Sequence, residues 1–103
     1  EGGVLMGLGY ALTEDFPLKD GVPQARYGTL GLMRSTQIPD IHAIYVEKEE
    51  LLPFAYGAKG IGEIATIPTA PAAQGAYYAM DHVLRTKLPM ENTYYSKKQK
   101  AVK

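Results

Sequence analysis

The sequence predicts a small α+β fold in which two helices pack on a small mixed or antiparallel sheet. Three observations predict it: apolar residues at helical spacing near the start, an Asp-Gly turn between two short arms, and a second helical stripe behind a Pro-Thr-Ala-Pro sequence. With 103 residues the chain is one domain at most, and folding would bury roughly 65% of the surface its unfolded form exposes.

Val4, Leu5, Leu8, Ala11 and Leu12 recur at steps of three and four residues, which predicts a helix running from the first residue. No N-cap precedes it, so the start reads as a cut through a longer helix. Gly2, Gly3, Gly7 and Gly9 each weaken that helix by about 0.5–1 kcal/mol relative to Ala. Such a cost is offset if the glycine side lies tight against another backbone or a flat ligand; close packing of the helix on a sheet satisfies the same pattern.

Asp20-Gly21 is a strong turn signal and predicts a hairpin with a second arm from Val22 to Tyr27. Pro17 and Pro23 keep both arms short or at a sheet edge. Gly28–Gln37 reads as a loop. Ile38-Pro39-Asp40 then opens the clearest predicted strand, Ile41–Glu47, with apolar residues on both faces and therefore cover expected on both sides. Glu47-Lys48-Glu49-Glu50 is expected to end it in solvent.

Thr66-Ile67-Pro68-Thr69 can cap the second helix, with Pro71 in its first turn where the missing amide hydrogen is harmless. Ala73, Ala76, Tyr77, Met80, Val83 and Leu84 share one predicted face, which carries the helix to about Arg85 or Thr86. Pro89 stops it. Residues 89–103 read as a polar basic tail, solvated from Glu91 onward, with Lys97, Lys98, Lys100 and Lys103 at its end.

Composition narrows the function. Eleven Lys plus Arg balance eleven Asp plus Glu, so no net charge steers the chain to nucleic acid or an anionic membrane. The absence of Cys excludes a disulfide framework, a thiolate metal site and a cysteine nucleophile. Any iron–sulfur cluster would need ligands from other chains. No apolar run approaches the roughly 20 residues of a membrane span, and no stretch has the order of a signal peptide. The expectation is a soluble, cytoplasmic protein.

Several motifs fail on spacing. Gly7-Leu8-Gly9 lacks the third glycine and preceding strand of a dinucleotide fingerprint, and Gly57-Ala58-Lys59-Gly60 lacks the spacing and hydroxyl residue of a P-loop. His42 and His82 have no partner ligand at metal-binding spacing. Tyr77-Tyr78 and Tyr94-Tyr95 lack the basic surroundings of a base-stacking platform.

Tyr56-Gly57-Ala58-Lys59-Gly60-Ile61-Gly62-Glu63 is the exception. Its glycines let main-chain amides approach a ligand oxygen or a planar ring without an intervening side chain. A glutamate fixed at the end of such a loop and facing a closed apolar site would have a raised pKa and could act as a general base. A glutamate after glycine in a surface loop is, on the residues alone, more often simply solvated.

Gly57-Ala58-Lys59-Gly60-Ile61-Gly62-Glu63, followed by Ala65-Thr66-Ile67-Pro68-Thr69-Ala70-Pro71-Ala72, resembles the C-terminal signature of the molybdenum hydroxylases, the xanthine dehydrogenase and aldehyde oxidase family. Glu1-Gly2-Gly3-Val4-Leu5-Met6-Gly7-Leu8-Gly9 through Glu14 resembles the glycine-rich helix of that family, and Ile38-Pro39-Asp40-Ile41 its Ile-Pro element. The likeness runs from Glu1 to about Leu88. It implies that residues 1–88 are the C-terminal fragment of a molybdopterin-binding domain several times longer. It implies Glu63 as the general base, with the main chain of Lys59, Gly60, Ile61 and Gly62 against molybdopterin and no protein ligand to the metal.

The implied reaction hydroxylates a carbon of a purine, a related N-heterocycle or an aldehyde with oxygen from water. Electrons would leave through iron–sulfur clusters and FAD on other domains or subunits. Met6 stands where many xanthine dehydrogenases have Gln and cannot donate that residue's hydrogen bond. The implied partners are the remainder of the molybdopterin-binding subunit, the iron–sulfur and flavin subunits or domains, and a small-molecule substrate. The isolated chain is expected to be inactive and to bind no cofactor, and its uncovered apolar surface leaves open a homo-oligomer. The alternative is a non-catalytic binding or assembly module that keeps the family fold.

Overall fold

A computed structural model describes residues 1–48 and 54–96. Its regular elements are helix α1 (Gly2–Leu12), strands β1 (Leu18–Lys19) and β2 (Val22–Pro23), and helix α2 (Thr69–Asp81), with 3-10 turns at Tyr27–Thr29, Ser35–Gln37 and Phe54–Gly57. This is the small α+β set that the sequence predicts.

Helix α1 ends without a left-handed cap. The Gly9 carbonyl accepts hydrogen bonds from Thr13 N (2.9 Å), Glu14 N (2.8 Å) and Thr13 Oγ1 (3.3 Å), and this triple acceptance turns the chain. Asp20 and Gly21 both take positive φ, 52° and 78°, the backbone of a two-residue hairpin turn. Leu18 pairs with Pro23 and Lys19 with Val22, antiparallel. The second arm, predicted to reach Tyr27, stops as a strand at Pro23: Gln24 N still donates to Pro17 O (2.9 Å), but Pro17 has no amide hydrogen to return the bond. Each of the next two 3-10 turns is closed from its own end: Arg26 N donates to Thr29 Oγ1 (3.2 Å) and Arg34 N to Gln37 Oε1 (2.8 Å).

The predicted strand Ile41–Glu47 is not a strand here. Residues 41–47 pair with nothing among the described residues, and all but Ile41 are exposed. Strand propensity is realised only when a neighbour supplies the ladder and a surface to cover, and the hairpin, two residues per arm, supplies neither. Glu49 and Glu50 lie outside the described residues.

The helices pack on each other, α1 against α2, instead of each lying on the sheet. A Cβ built on Gly7 would lie 2.6 Å from Thr69 Cβ, and one on Gly3 would lie 2.9 Å from Ala65 Cβ. The glycine side of α1 therefore permits close approach to the start of α2. The buried apolar residues are Ala11, Leu12 and Met90, with Leu8, Met33, Ala70, Ala73, Tyr77 and Tyr95 packed around them. So small a core leaves the chain extended: its Cα radius of gyration is 17.0 Å, against about 13 Å for a compact chain of about 100 residues.

Helix α2 ends at Asp81, four residues short of Arg85. His82 takes a left-handed conformation (φ 57°) while the Asp81 carboxylate accepts from Val83 N (3.0 Å), so the last turn is closed by a side chain. Met80, Val83 and Leu84, predicted on the buried face, are exposed. Arg85 folds back: its guanidinium makes two bonds to Asp81 (2.6 and 3.2 Å), donates to Glu91 O (3.0 Å) and Asn92 O (3.3 Å), and lies 5.0 Å from the Tyr77 ring centroid.

That clamp orders residues expected to be solvated. Met90 N donates to Ala11 O (2.8 Å), and Met90 and Thr93 are only 2% and 1% exposed. Thr93 and Ser96 cap each other reciprocally, Thr93 N donating to Ser96 Oγ (2.8 Å) and Ser96 N to Thr93 Oγ1 (3.2 Å). Lys97, Lys98, Lys100 and Lys103 lie outside the described residues.

Candidate functional site

The glycine loop begins with three consecutive left-handed residues, Ala55 (φ 47°), Tyr56 (φ 52°) and Gly57 (φ 79°). Only the third is a glycine; the first two carry a Cβ into a region that disfavours one. Ala58 N donates to Ala55 O (2.9 Å) and closes the turn. Lys59, Gly60, Ile61, Gly62 and Glu63 follow as an exposed stretch.

The loop is then tied down at its far end. Glu63 O accepts from Thr66 N (3.1 Å) and Thr66 Oγ1 (2.6 Å), and Thr69 Oγ1 donates to Ala65 O (2.7 Å). These bonds fix residues 63–66 as a turn leading directly into α2. A Cβ on Gly3 would stand 3.8 Å from Gly62 O as well as against Ala65, so α1 is seated on the base of the loop. Two of the three sequence motifs, the glycine helix and the glycine loop, are thus brought together. No residue of the third, Ile38–Ile41, is among the nearest neighbours of a Cβ built on Gly3 or Gly7.

Glu63 is exposed, so its carboxylate does not face a closed apolar site among the described residues. A groove of about 520 Å³ lies alongside. Met6, Gly7 and Tyr10 of α1 form one wall and Thr66, Ile67 and Ala70 the other, with Glu14 as its charged group. Thr66 links the two features: its backbone and hydroxyl hold Glu63 O while its side of the chain lines the groove. Met6 sits in the wall, where it offers a thioether and no hydrogen-bond donor.

Sequence reasoning does not find Glu14 or the groove. The signal available is the small-residue side of α1 opposite the Thr66-Ile67-Pro68-Thr69 turn, which marks a close crossing but not the space left beside it.

The donor set suits a group recognised through main chain. A Cβ on Gly60 or on Gly62 would meet nothing within 4 Å, so the backbone there is open to a bulky ligand. Among the described residues no group of three His, Asp or Glu side chains could hold a metal ion. The exposed main chain of Lys59, Gly60, Ile61 and Gly62, ending at Glu63, fits a group held through backbone. Among the described residues no helix is long and apolar enough to cross a membrane.

Comparison with known proteins gives two related sequences. The chain is 34% identical over 95 residues to a probable xanthine dehydrogenase subunit of Bacillus subtilis (strain 168), and the match covers 87% of this chain and 12% of that protein. It is 29% identical over 91 residues to the beta subunit of an isoquinoline 1-oxidoreductase of Brevundimonas diminuta, covering 87% of this chain and 11% of that protein. No protein-family profile matches the chain, and no solved structure matches it significantly. The chain spans about a tenth of the length of these relatives and is similar in sequence to a short part of two oxidoreductase subunits.

Proposed function

We propose that this chain is the C-terminal part of the molybdopterin-binding subunit of a molybdenum-dependent hydroxylase similar to xanthine dehydrogenase. The observation that carries this reading is the seating of the glycine helix on the glycine loop, Gly3 against Gly62 and Ala65, which leaves Glu63 exposed at the end of a glycine-rich stretch. Similarity to the two oxidoreductase subunits supports it.

In this reading the main chain of Lys59, Gly60, Ile61 and Gly62 holds molybdopterin. When bound, the cofactor supplies a metal centre that takes up two electrons from the substrate. Glu63 acts as the general base: its carboxylate removes a proton from the water whose oxygen enters the product. The substrate carbon loses hydrogen and gains a hydroxyl, and two electrons and two protons leave.

The electrons pass to iron–sulfur clusters and FAD held elsewhere, since this chain has no Cys to ligate a cluster. Xanthine and isoquinoline, named for the two relatives, are both nitrogen heterocycles with a carbon beside a ring nitrogen. That favours a purine or related N-heterocycle over an aldehyde.

The test is to purify the full-length gene product with its partner subunits and supply N-heterocycles in 18O-labelled water. The expected result is one labelled oxygen in the product, with molybdenum bound to the protein. A preparation that retains molybdenum yet hydroxylates neither heterocycle nor aldehyde would overturn the proposal.

A further inference from the structure

The glycines at Gly3 and Gly7 make room for the start of α2, but Gly9 makes room for a charge. A Cβ on Gly9 would collide with Glu14 Oε1 and stand 3.1 Å from Glu14 Cδ. Glu14 therefore folds back over the last turn of α1, half-buried against bare main chain. Its carboxylate has no hydrogen-bond or ion-pair partner among the described residues.

That position is electrostatically costly. The C-terminal end of a helix carries partial negative charge on its unpaired carbonyls, and α1 has no basic residue in its last turn to offset it. A carboxylate held there sets like charge beside like, so the place attracts a cation.

The surroundings select the kind of cation. Glu14 is the charged group of the groove of about 520 Å³, whose large apolar lining residues, Met6, Tyr10, Leu32 and Ile67, are all exposed. Its volume lies within the range of small-molecule pockets. A metal ion takes several oxygen ligands, and no group of three His, Asp or Glu among the described residues could supply them. An organic cation needs only one carboxylate, with apolar walls for its body. Tyr10 adds a ring that attracts cations, and Met6 a thioether that packs well against aromatic rings.

We infer that this groove binds a small organic cation, an aromatic ring carrying a protonated amidine or amine, with the charge at Glu14 and the ring among Met6, Tyr10 and Ile67. The site goes beyond the proposed function and uses none of Lys59–Glu63.

The probes are benzamidinium and neutral benzamide, which share a shape and differ in charge. Each is titrated into the 103-residue chain while backbone amide NMR shifts are followed. Benzamidinium should bind about 10–100-fold more tightly, the scale of a charge-assisted hydrogen bond, with shifts centred on Gly7, Tyr10, Glu14 and Thr66. Glu14→Gln should abolish the preference. It should also raise the urea midpoint of the free chain, because it removes like charge from the end of α1. Equal binding of the two probes, binding of neither, or a preference that survives Glu14→Gln would overturn the inference. So would a lowered urea midpoint, the mark of a carboxylate that already has a partner. The full-length gene product should show the same preference, and its loss there would overturn the inference by showing that the subunit fills the groove itself. None of these readouts is hydroxylation, so this site and the enzymatic reading fail separately.

Discussion

The two helices cross where Gly7 faces Thr69, and a methyl group on Gly7 would stand 2.6 Å from Thr69 Cβ and 2.8 Å from its Oγ1. Thr69 cannot easily give way, because its hydroxyl already donates to Ala65 O at 2.7 Å and helps start α2. The same crossing seats the glycine loop, so packing and site geometry share one contact.

Gly7→Ala should therefore destabilise the chain by about 1–3 kcal/mol, the usual cost of overpacking. Gly2→Ala, in the same helix with nothing within 4 Å of the added methyl, should be stabilising by about 0.5–1 kcal/mol through helix propensity alone. Urea unfolding of both variants checks the pair. Equal effects would mean that the Gly7–Thr69 contact does not set the helix separation.

Residues beyond Pro89 are expected to contribute to the fold. Met90→Ala removes most of a side chain that is 2% exposed and should cost about 2–4 kcal/mol, within the range for buried large-to-small changes. Thermal unfolding of the variant measures it. A loss under about 0.5 kcal/mol, typical of surface positions, would show that the segment is not docked on Ala11.

The clamp at the end of α2 predicts a pH dependence. Hydrogen bonds from Arg85 first, and from Val83 N–H second, hold the Asp81 carboxyl below the ordinary carboxylate range. Folded Asp81 thus binds a proton less readily than the unfolded chain does. Its contribution is fully present above the ordinary Asp value of about 3.9 and is lost as pH falls through the lower folded value. The stability gap between the wild type and Asp81→Asn, followed by urea midpoints from neutral to acid pH, should be largest near neutrality and close below about pH 4. A gap independent of pH would contradict this.

Much of the fold is legible in the residues. Helix α1 follows from its Leu and Ala spacing, the hairpin turn from Asp20-Gly21, and the start of α2 from Thr66-Ile67-Pro68-Thr69 with Pro71. The end of α2 is not, because Val83 and Leu84 continue the helical stripe while Asp81 captures Val83 N–H and Arg85, a bond that spacing does not reveal. Met90 escapes for a related reason: it is docked by its own amide on Ala11 O, beside carbonyls of Glu91 and Asn92 that Arg85 holds, and spacing reveals neither contact. The strand over 41–47 fails within this chain for want of a neighbour. At the site, the sequence marks the loop and its glutamate, but the space between Met6 and Thr66 arises only from the helix crossing.

The isolated 103-residue chain should neither hydroxylate heterocycles nor retain molybdenum after gel filtration. Its loop and Glu63 are exposed, without the enclosing walls that exclude water from a reaction site. Metal analysis and a heterocycle turnover assay on the purified chain check this directly. Stoichiometric metal with turnover would mean that the chain is complete as a catalyst.

The central claim, that Glu63 is the base, is tested most directly by Glu63→Gln in the full-length protein with turnover and molybdenum content measured together. Turnover should fall by about 10²–10⁴-fold, the scale of general base catalysis, while molybdenum content stays near that of the wild type. Full turnover in the variant, with the same molybdenum content, would place the base elsewhere.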